Sequence, residues 1–320
     1  MKKVVLLVAV LMSCTVRESI ELDENDNLLT LQVGGSPVLT YHKTIQFPPD
    51  TMPDYYQRSG FIHPLYTPNG KVVTDGFPAG HPHQHGLFFA LVNTTFRGMH
   101  TDFWNQQNGT GTVRHVELSE RYDAPASSGF ISELEHLAIH NGDTTRALGE
   151  FWEIRVLPST DAYRVDFISR LFAFDTVHVN EYLYGGLGFR GSAEWNDLEF
   201  EQPGDVNYIG TKGKGGFLTS TGKTRMDGNH SHERWVSFHG QIDGDSAGVL
   251  IMAHPENFRF PQAVRLHPVM PYFSISPMVD GPFDLVPGDT LVSRYRIITY
   301  DGNPTVEWME QEWQDWTGVK

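Results

Sequence analysis

The 320-residue chain holds one cysteine, Cys14, too few basic residues to balance its acids, and no apolar run of bilayer length. A lone cysteine excludes internal disulfides. If Cys14 is spent on modification, it also excludes thiolate metal sites and cysteine nucleophiles. The longest apolar stretch near a terminus, Val4 to Met12, falls far short of the roughly 20 residues that span a membrane. With 24 basic against 39 acidic residues the net charge is −15. Such a surface repels phosphate backbones and argues against a nucleic-acid partner. There is no Gly-x-Ser-x-Gly elbow or phosphate loop, and the Gly186-x-Gly188-x-x-Gly191 spacing opens no stretch of helical period, so it is not a dinucleotide fingerprint. There is no internal repeat of the kind a propeller requires, and no long run of 3.6-residue period.

The N-terminus reads as a targeting segment. Lys2 and Lys3 precede the short apolar run, and Leu11-Met12-Ser13-Cys14 resembles the lipobox of bacterial lipoproteins, in which the cysteine is lipidated after cleavage. Residues 1–14 are therefore assigned to a lipoprotein signal, residues 15–30 to a polar tether, and residues 31–320 to one domain. The expected location is the bacterial cell envelope, periplasmic or surface-facing, with membrane contact by the lipid anchor only. Cleavage would remove Lys2 and Lys3 and take the net charge from −15 to −17. With no disulfide to brace it, the domain must stabilise itself by burial.

What is present is mainly period two. Ala162 to Ile168 and Thr290 to Ile297 alternate apolar and polar residues, Phe151 to Val156 does so less strictly, and Gly248 to Ala253 reads as a fully buried strand. Between such runs lie Pro68-Asn69-Gly70, Asn141-Gly142, Asp227-Gly228, Asp243-Gly244 and Asp301-Gly302, all turn formers. Regular strands joined by such turns predict an all-β fold, a large antiparallel β-sandwich. Glu307 to Trp316 is the one short helix expected, with Trp308, Glu312 and Trp316 on one face. Seven tryptophans and 12% aromatic residues supply ring faces that stack on sugars as well as fill a core.

The densest chemistry lies in Gly80-His81-Pro82-His83-Gln84-His85-Gly86. If extended, this stretch sends His81, His83 and His85 to one face, and Pro82 biases His81 toward extended geometry. Imidazoles titrate near neutrality, ligate metals and pass protons. Two of them at i, i+2 supply half of a divalent metal site, but no acid follows His85 until Asp102. Acid–base chemistry needs only one imidazole and a carboxylate partner.

Several motifs carry a family resemblance. They are Ser59 to Leu65, Pro68-x-Gly70, the histidine run with Leu87-Phe88-Phe89-Ala90, Asp102-Phe103-Trp104, Tyr184 to Arg190, Glu233-Arg234-Trp235-Val236, and His254-Pro255-x-Asn257-x-Arg259-x-Pro261. In this order the chain resembles a bacterial family labelled methane oxygenase PmoA-like, over nearly all of residues 30 to 300. The resemblance implies a galactose-mutarotase-like supersandwich, often a companion of sugar-metabolising oxidoreductases. Membrane copper monooxygenase chemistry is not implied, since that needs several apolar spans. Where members often carry His-x-His-His-Arg-Gly, this chain has His-x-His-Gln-His-Gly.

The candidate catalytic residues are His81, His83, His85, Asp102 and Glu181. Candidate substrate-binding residues are Arg58, His63, Trp104, Arg190, His232, Arg234, His254, Asn257 and Arg259. The expected function is an exported carbohydrate-processing enzyme, an epimerase, lyase or hydrolase, in which histidine and carboxylate move protons at a sugar ring. Arg190 or Arg259 would steady developing negative charge or hold an acidic sugar. One alternative is a non-catalytic carbohydrate-binding lipoprotein. The other is a metal-dependent oxygenase or hydrolase with a divalent metal on the histidines; otherwise no cofactor is expected. For the anchor, Cys14→Ala is expected to abolish incorporation of labelled palmitate and release the protein from membranes. Labelling that survives the substitution would contradict the lipobox.

Overall fold

The period-two segments do form strands, and Asn-Gly and Asp-Gly pairs close two of their hairpins. The structure, a computed structural model, describes residues 19–79, 81–124, 127–159, 161–195 and 215–319; Cys14 and its flanks lie outside them. Asn141-Gly142 and Asp243-Gly244 all have positive φ, as two-residue hairpin turns that follow the strand twist require.

Among the described residues the strands make three antiparallel sheets. The first contains β1 (Ile20–Glu24), β2 (Leu28–Val33), β3 (Ser36–His42), β4 (Phe61–Leu65), β5 (Leu87–Ala90), β13 (Gly186–Arg190), β19 (Tyr272–Ile275), β18 (Gln262–Leu266) and β15 (His232–Glu233), in that spatial order. The second runs β14 (Gly215–Thr219), β16 (Trp235–Ile242), β17 (Asp245–Ala253), β21 (Thr290–Asp301), β11 (Ala162–Ala173), β10 (Asp143–Leu157), β9 (Ser127–His140) and β8 (Gly111–Ala124). The small third sheet is β20 (Phe283–Leu285), β12 (Val177–Val179), β6 (Thr94–Phe96) and β7 (Met99–Thr101). The expected all-β antiparallel sandwich is the observed one. One expectation fails at the start: residues 20–24, assigned to the tether, pair with β2 from Ile20↔Val33 to Glu24↔Leu29.

The two large sheets bury their facing sides against each other. Tyr41 on β3 meets Phe130 and Trp152 of the second sheet at 5.0 and 6.1 Å, and Phe217 meets Phe273 at 5.9 Å. The Tyr41 hydroxyl, fully buried, bonds Ser132 Oγ at 2.5 Å. This satisfies a polar group that would otherwise cost about 1–3 kcal/mol in the core.

Helix α1 (Val306–Thr317) covers a second cluster made of Trp235, Leu250, Met252, Ile298 and Tyr300 with its own Met309 and Trp313. Thr305 Oγ1 caps it by accepting from the Trp308 amide, and Gly318 at φ 71° ends it. The face it buries is Met309/Trp313. Trp308 and Trp316 flank that face, while Glu312 pairs with Arg164 at 2.6 Å. Trp313 Nε1 also donates to the Ala253 carbonyl at 3.0 Å. Trp313→Ala should therefore cost about 3–5 kcal/mol in urea denaturation. A loss under about 1 kcal/mol would mean that the helix contributes little.

Candidate functional site: a histidine-lined cavity

The register of four adjacent strands brings one set of chain ends together. Leu87 at the start of β5 pairs with Phe189, and Arg190 at the end of β13 pairs with Tyr272 at the start of β19. Leu266 at the end of β18 pairs with Phe273. The histidine segment before β5 and the 267–271 connection after β18 must therefore meet at the same sheet end.

The histidine segment is a turn, which corrects the extended ridge. The Gln84 amide donates to the His81 carbonyl at 3.0 Å, so Pro82 occupies the second position of a tight turn, where its fixed φ is favoured. The alternation of three imidazoles on one face is thereby lost. His81 and His83 remain together, ring centroids 5.5 Å apart. His85 turns inward and is fully buried among Phe61, Phe77 and Phe88. Its Nε2–H donates to Gln106 Oε1 at 2.9 Å. Burial, then the nearby Arg58 charge, holds its pKa well below that of free histidine. Gly86 fixes the exit from the turn: at φ 61° a Cβ there would lie 2.3 Å from the Ile62 carbonyl oxygen.

His81 and His83 open onto a cavity of about 210 Å³ whose other walls are Gln84, Asn105, Gln107, Tyr184, Arg265, His267, Met270 and Tyr272. The third imidazole of the site is thus His267, whose ring lies 6.2 Å from that of His81. Its Nδ1 accepts from the amides of Val269 and Met270 at 3.2 and 2.9 Å. That fixes the neutral tautomer with hydrogen on Nε2. Burial first, then the charge of Arg265, lowers its pKa to about 2. His83 is also nine-tenths buried, and its Nδ1 has no hydrogen-bond partner among the described residues. Burial, then His81 and Arg190, takes its pKa to about 3.

Arg190 sits beneath the turn, buried, and donates from Nη1 to Gln84 Oε1 at 3.0 Å. Asp75 lies near it. Burial raises that carboxyl above the usual range, while Arg190 and the amides of Gly76 and Phe77 pull the other way. The Asp75 carbonyl accepts from the Gly86 amide at 2.8 Å, which ties the exit of the turn to the segment before it.

Neither expected carboxylate joins the imidazoles. Asp102 accepts at Oδ1 from the amides of Trp104 and Asn105, and at Oδ2 from the side-chain amides of Asn105 and Asn108. It shapes the loop that presents Asn105, whose Oδ1 in turn accepts from the Tyr184 hydroxyl at 3.0 Å. Glu181 is exposed and touches Asn93 only through its carbonyl. Trp104 is core rather than a stacking platform. It packs 4.5 Å from Phe88 and behind Tyr184 and Tyr272, and Gly188 leaves it room, since a Cβ there would come within 2.6 Å of the indole.

The remaining expected binding residues serve the scaffold. Arg58 is buried over the Phe88 ring and donates to the Phe89 carbonyl at 3.1 Å. Burial lowers its pKa to about 10, opposed by the charge of Glu150. His63 faces Thr74 Oγ1 at 2.9 Å, and burial lowers its pKa to about 4. His232 pairs with Asp280 at an exposed position. Arg234 holds α1 through Glu310 and the Trp313 ring, and His254 packs against Trp316. Asn257 bonds both backbone groups of Arg294. Arg259 donates to the carbonyls of Pro277, Gly281 and Pro282.

A larger cavity of about 340 Å³ lies beside Ile45, Tyr55, Gln106, Val113, Leu137 and Ile139. Its wall is mainly apolar and, among the described residues, holds no imidazole or carboxylate. Among the described residues no three His, Cys, Asp or Glu side chains converge as metal ligands, and no helix is long and apolar enough to cross a membrane.

Fold and site define an all-β sandwich protein with a histidine-lined polar cavity at one end of its larger sheet. The chain belongs to a family of unknown function (DUF6807), which matches residues 28–314. That extent agrees with the motifs over 30–300, and the family's description carries no methane oxygenase label. No curated protein matches the sequence. Similar solved structures include a heparan sulfate lyase from Pedobacter heparinus (TM-score 0.35, 8% identity, 90% of this chain and 36% of that one). Another is a galactose mutarotase related enzyme from Lactobacillus acidophilus (TM-score 0.33, 8% identity, 89% and 98%). A third is a GH36 α-galactosidase from Geobacillus stearothermophilus (TM-score 0.35, 9% identity, 92% and 40%). The chain thus spans little more than a third of the lyase.

The depressed histidines make stability depend on pH with a definite sign. Below pH 6.5 the unfolded chain binds protons that folded His83, His85 and His267 exclude. Their stabilisation is present above pH 6.5 and is lost as pH falls, by about 1.4 kcal/mol per unit for each ring. Urea midpoints at pH 7, 6 and 5 should fall steeply, and His85→Gln should remove one proton from the slope. A midpoint that stays level from pH 7 to 5 would contradict the burial of these rings.

Proposed function

We propose that the cavity binds a single sugar ring and moves protons on it, with His81 and His83 as the proton-transfer groups. The observation that carries this reading is the meeting of three imidazoles in one polar cavity, with His83 Nδ1 buried and unpartnered. Side-chain amides of Gln84, Asn105 and Gln107 and the rings of Tyr184 and Tyr272 supply hydroxyl hydrogen bonds and apolar faces, the usual ingredients of sugar recognition. The volume lies below the roughly 300–1,000 Å³ of drug-sized sites, which suits one ring better than an extended chain.

The roles follow from protonation. His83 is unprotonated near neutrality and can accept a proton. His267 cannot accept one in its fixed tautomer, because Nδ1 is occupied by backbone amides; its Nε2–H is a donor for a ligand oxygen. Burial keeps Tyr184 and Tyr272 protonated, their pKa values raised above the ordinary phenol.

Glycoside hydrolysis commonly uses two carboxylates flanking the bond. None lines the cavity among the described residues, so the histidine–carboxylate pair gives way to imidazoles assisted by a donor. This favours proton removal and return at carbon, as an epimerase or a lyase performs, over hydrolysis. The oxygenase that a PmoA-like label suggests has less support, because among the described residues the ligands it would need do not converge.

A turnover screen of aldoses, keto-sugars and short glycans tests the reading. Wild type should convert at least one of them, and His83→Gln should lower kcat by about 100-fold or more while binding persists. Equal turnover by both proteins would overturn the proposal. Binding without turnover in wild type would favour a carbohydrate-binding lipoprotein.

A further inference from the structure

We infer that the sugar taken by this cavity is an acidic one, a uronate whose carboxylate docks on Arg265; this rests on the cavity being a sugar site. The charge balance comes first. Arg265 lines the cavity, and its hydrogen-bond acceptors among the described residues are the neutral Asn229 Oδ1 and Leu266 carbonyl, not a carboxylate. Among the described residues the cavity wall contains no Asp or Glu, while Arg190 stands directly behind Gln84. An unpaired guanidinium half-buried beside neutral imidazoles is costly to maintain. A bound anion would supply the missing counter-charge.

The hydrogen-bond geometry narrows the anion. Arg265 Nη1 is already committed to Asn229 Oδ1 at 2.9 Å and reaches toward the Leu266 carbonyl at 3.4 Å. No described side chain takes Nε or Nη2. These two groups form one edge of the guanidinium and present parallel N–H bonds, the arrangement that receives a planar carboxylate in bidentate fashion. The fixed Asn229 contact, shared with the Leu266 amide at 3.2 Å, holds that edge in place.

The sequence carries the same pattern. Arg265 and His267 stand at i, i+2 around Leu266, so the end of β18 supplies the arginine and the first residue after it supplies the third imidazole. A carboxylate on Arg265 would therefore place the ring carbon that bears it near the imidazoles. That carbon's hydrogen is the one a carboxylate acidifies once its charge is neutralised, which fits proton removal at carbon.

Calorimetry on the full-length protein tests this with galacturonate and glucuronate against galactose and glucose. The uronates should bind at least 10-fold tighter than their neutral counterparts, and added salt should reduce the difference. Arg265→Gln should erase the preference. Arg265→Lys, which keeps charge but not the paired N–H edge, should lose most of it, with thermal melting confirming that each variant is folded. Equal affinity for uronate and neutral sugar would overturn the inference while leaving the sugar site intact. Binding of neither class would remove the sugar reading as well. Sulfated sugars binding as tightly as uronates, with affinity retained in Arg265→Lys, would replace carboxylate recognition by simple charge attraction.

Discussion

The site depends on one hydrogen bond, from the Gln84 amide to the His81 carbonyl at 3.0 Å, that closes a turn around Pro82. Without it the segment would run extended and spread its imidazoles along a strand. With it, His81 and His83 face one cavity, His85 is driven into an aromatic shell, and Gln84 is set to receive Arg190. The turn is rigid because its exit is rigid. Gly86 passes too close to the β4 backbone for any side chain, and its amide is held by the Asp75 carbonyl.

Burial then decides the chemistry these rings can do. Three histidines are kept neutral by desolvation, reinforced by nearby arginines. Only some of these neutral rings face the ligand space. His85 spends its proton on Gln106, and His267 is oriented by two backbone amides. The cavity is thus a cationic, hydrogen-bonding space in which a fixed donor and the imidazoles of His81 and His83 border a single ring-sized volume.

Much of the fold was legible in the sequence because alternation and turn chemistry are local. Asn141-Gly142 and Asp243-Gly244 named their hairpins, and Gly248 to Ala253 lies fully buried within β17. Thr305 and Gly318 bound a helix where one was expected. The site was legible only in part. His81, His83 and Arg190 stood out by composition, yet Pro82 admits two readings, a spacer in a strand or the corner of a turn, and only the tertiary hydrogen bonds select between them. Asp102 and Glu181 were attractive as acids near aromatic and glycine-rich segments, but a carboxylate that caps four amide hydrogens and one that points to solvent look alike in sequence. Arg265, His267 and Tyr272 were missed because they reach the cavity through the register of β18 and β19, nearly 190 residues downstream of the turn. The i, i+2 pairing of Arg265 with His267 was the one local sign of them.

The most direct measurement is a crystal structure of the protein with a bound sugar. The expected result is a single ring seated among His81, His83 and His267, with hydrogen bonds to at least two of these imidazoles and to the amides of Gln84 or Asn105. A sugar bound instead in the apolar cavity beside Ile45 and Leu137, or on the outer surface with the histidine cavity unchanged, would contradict the assignment of the site.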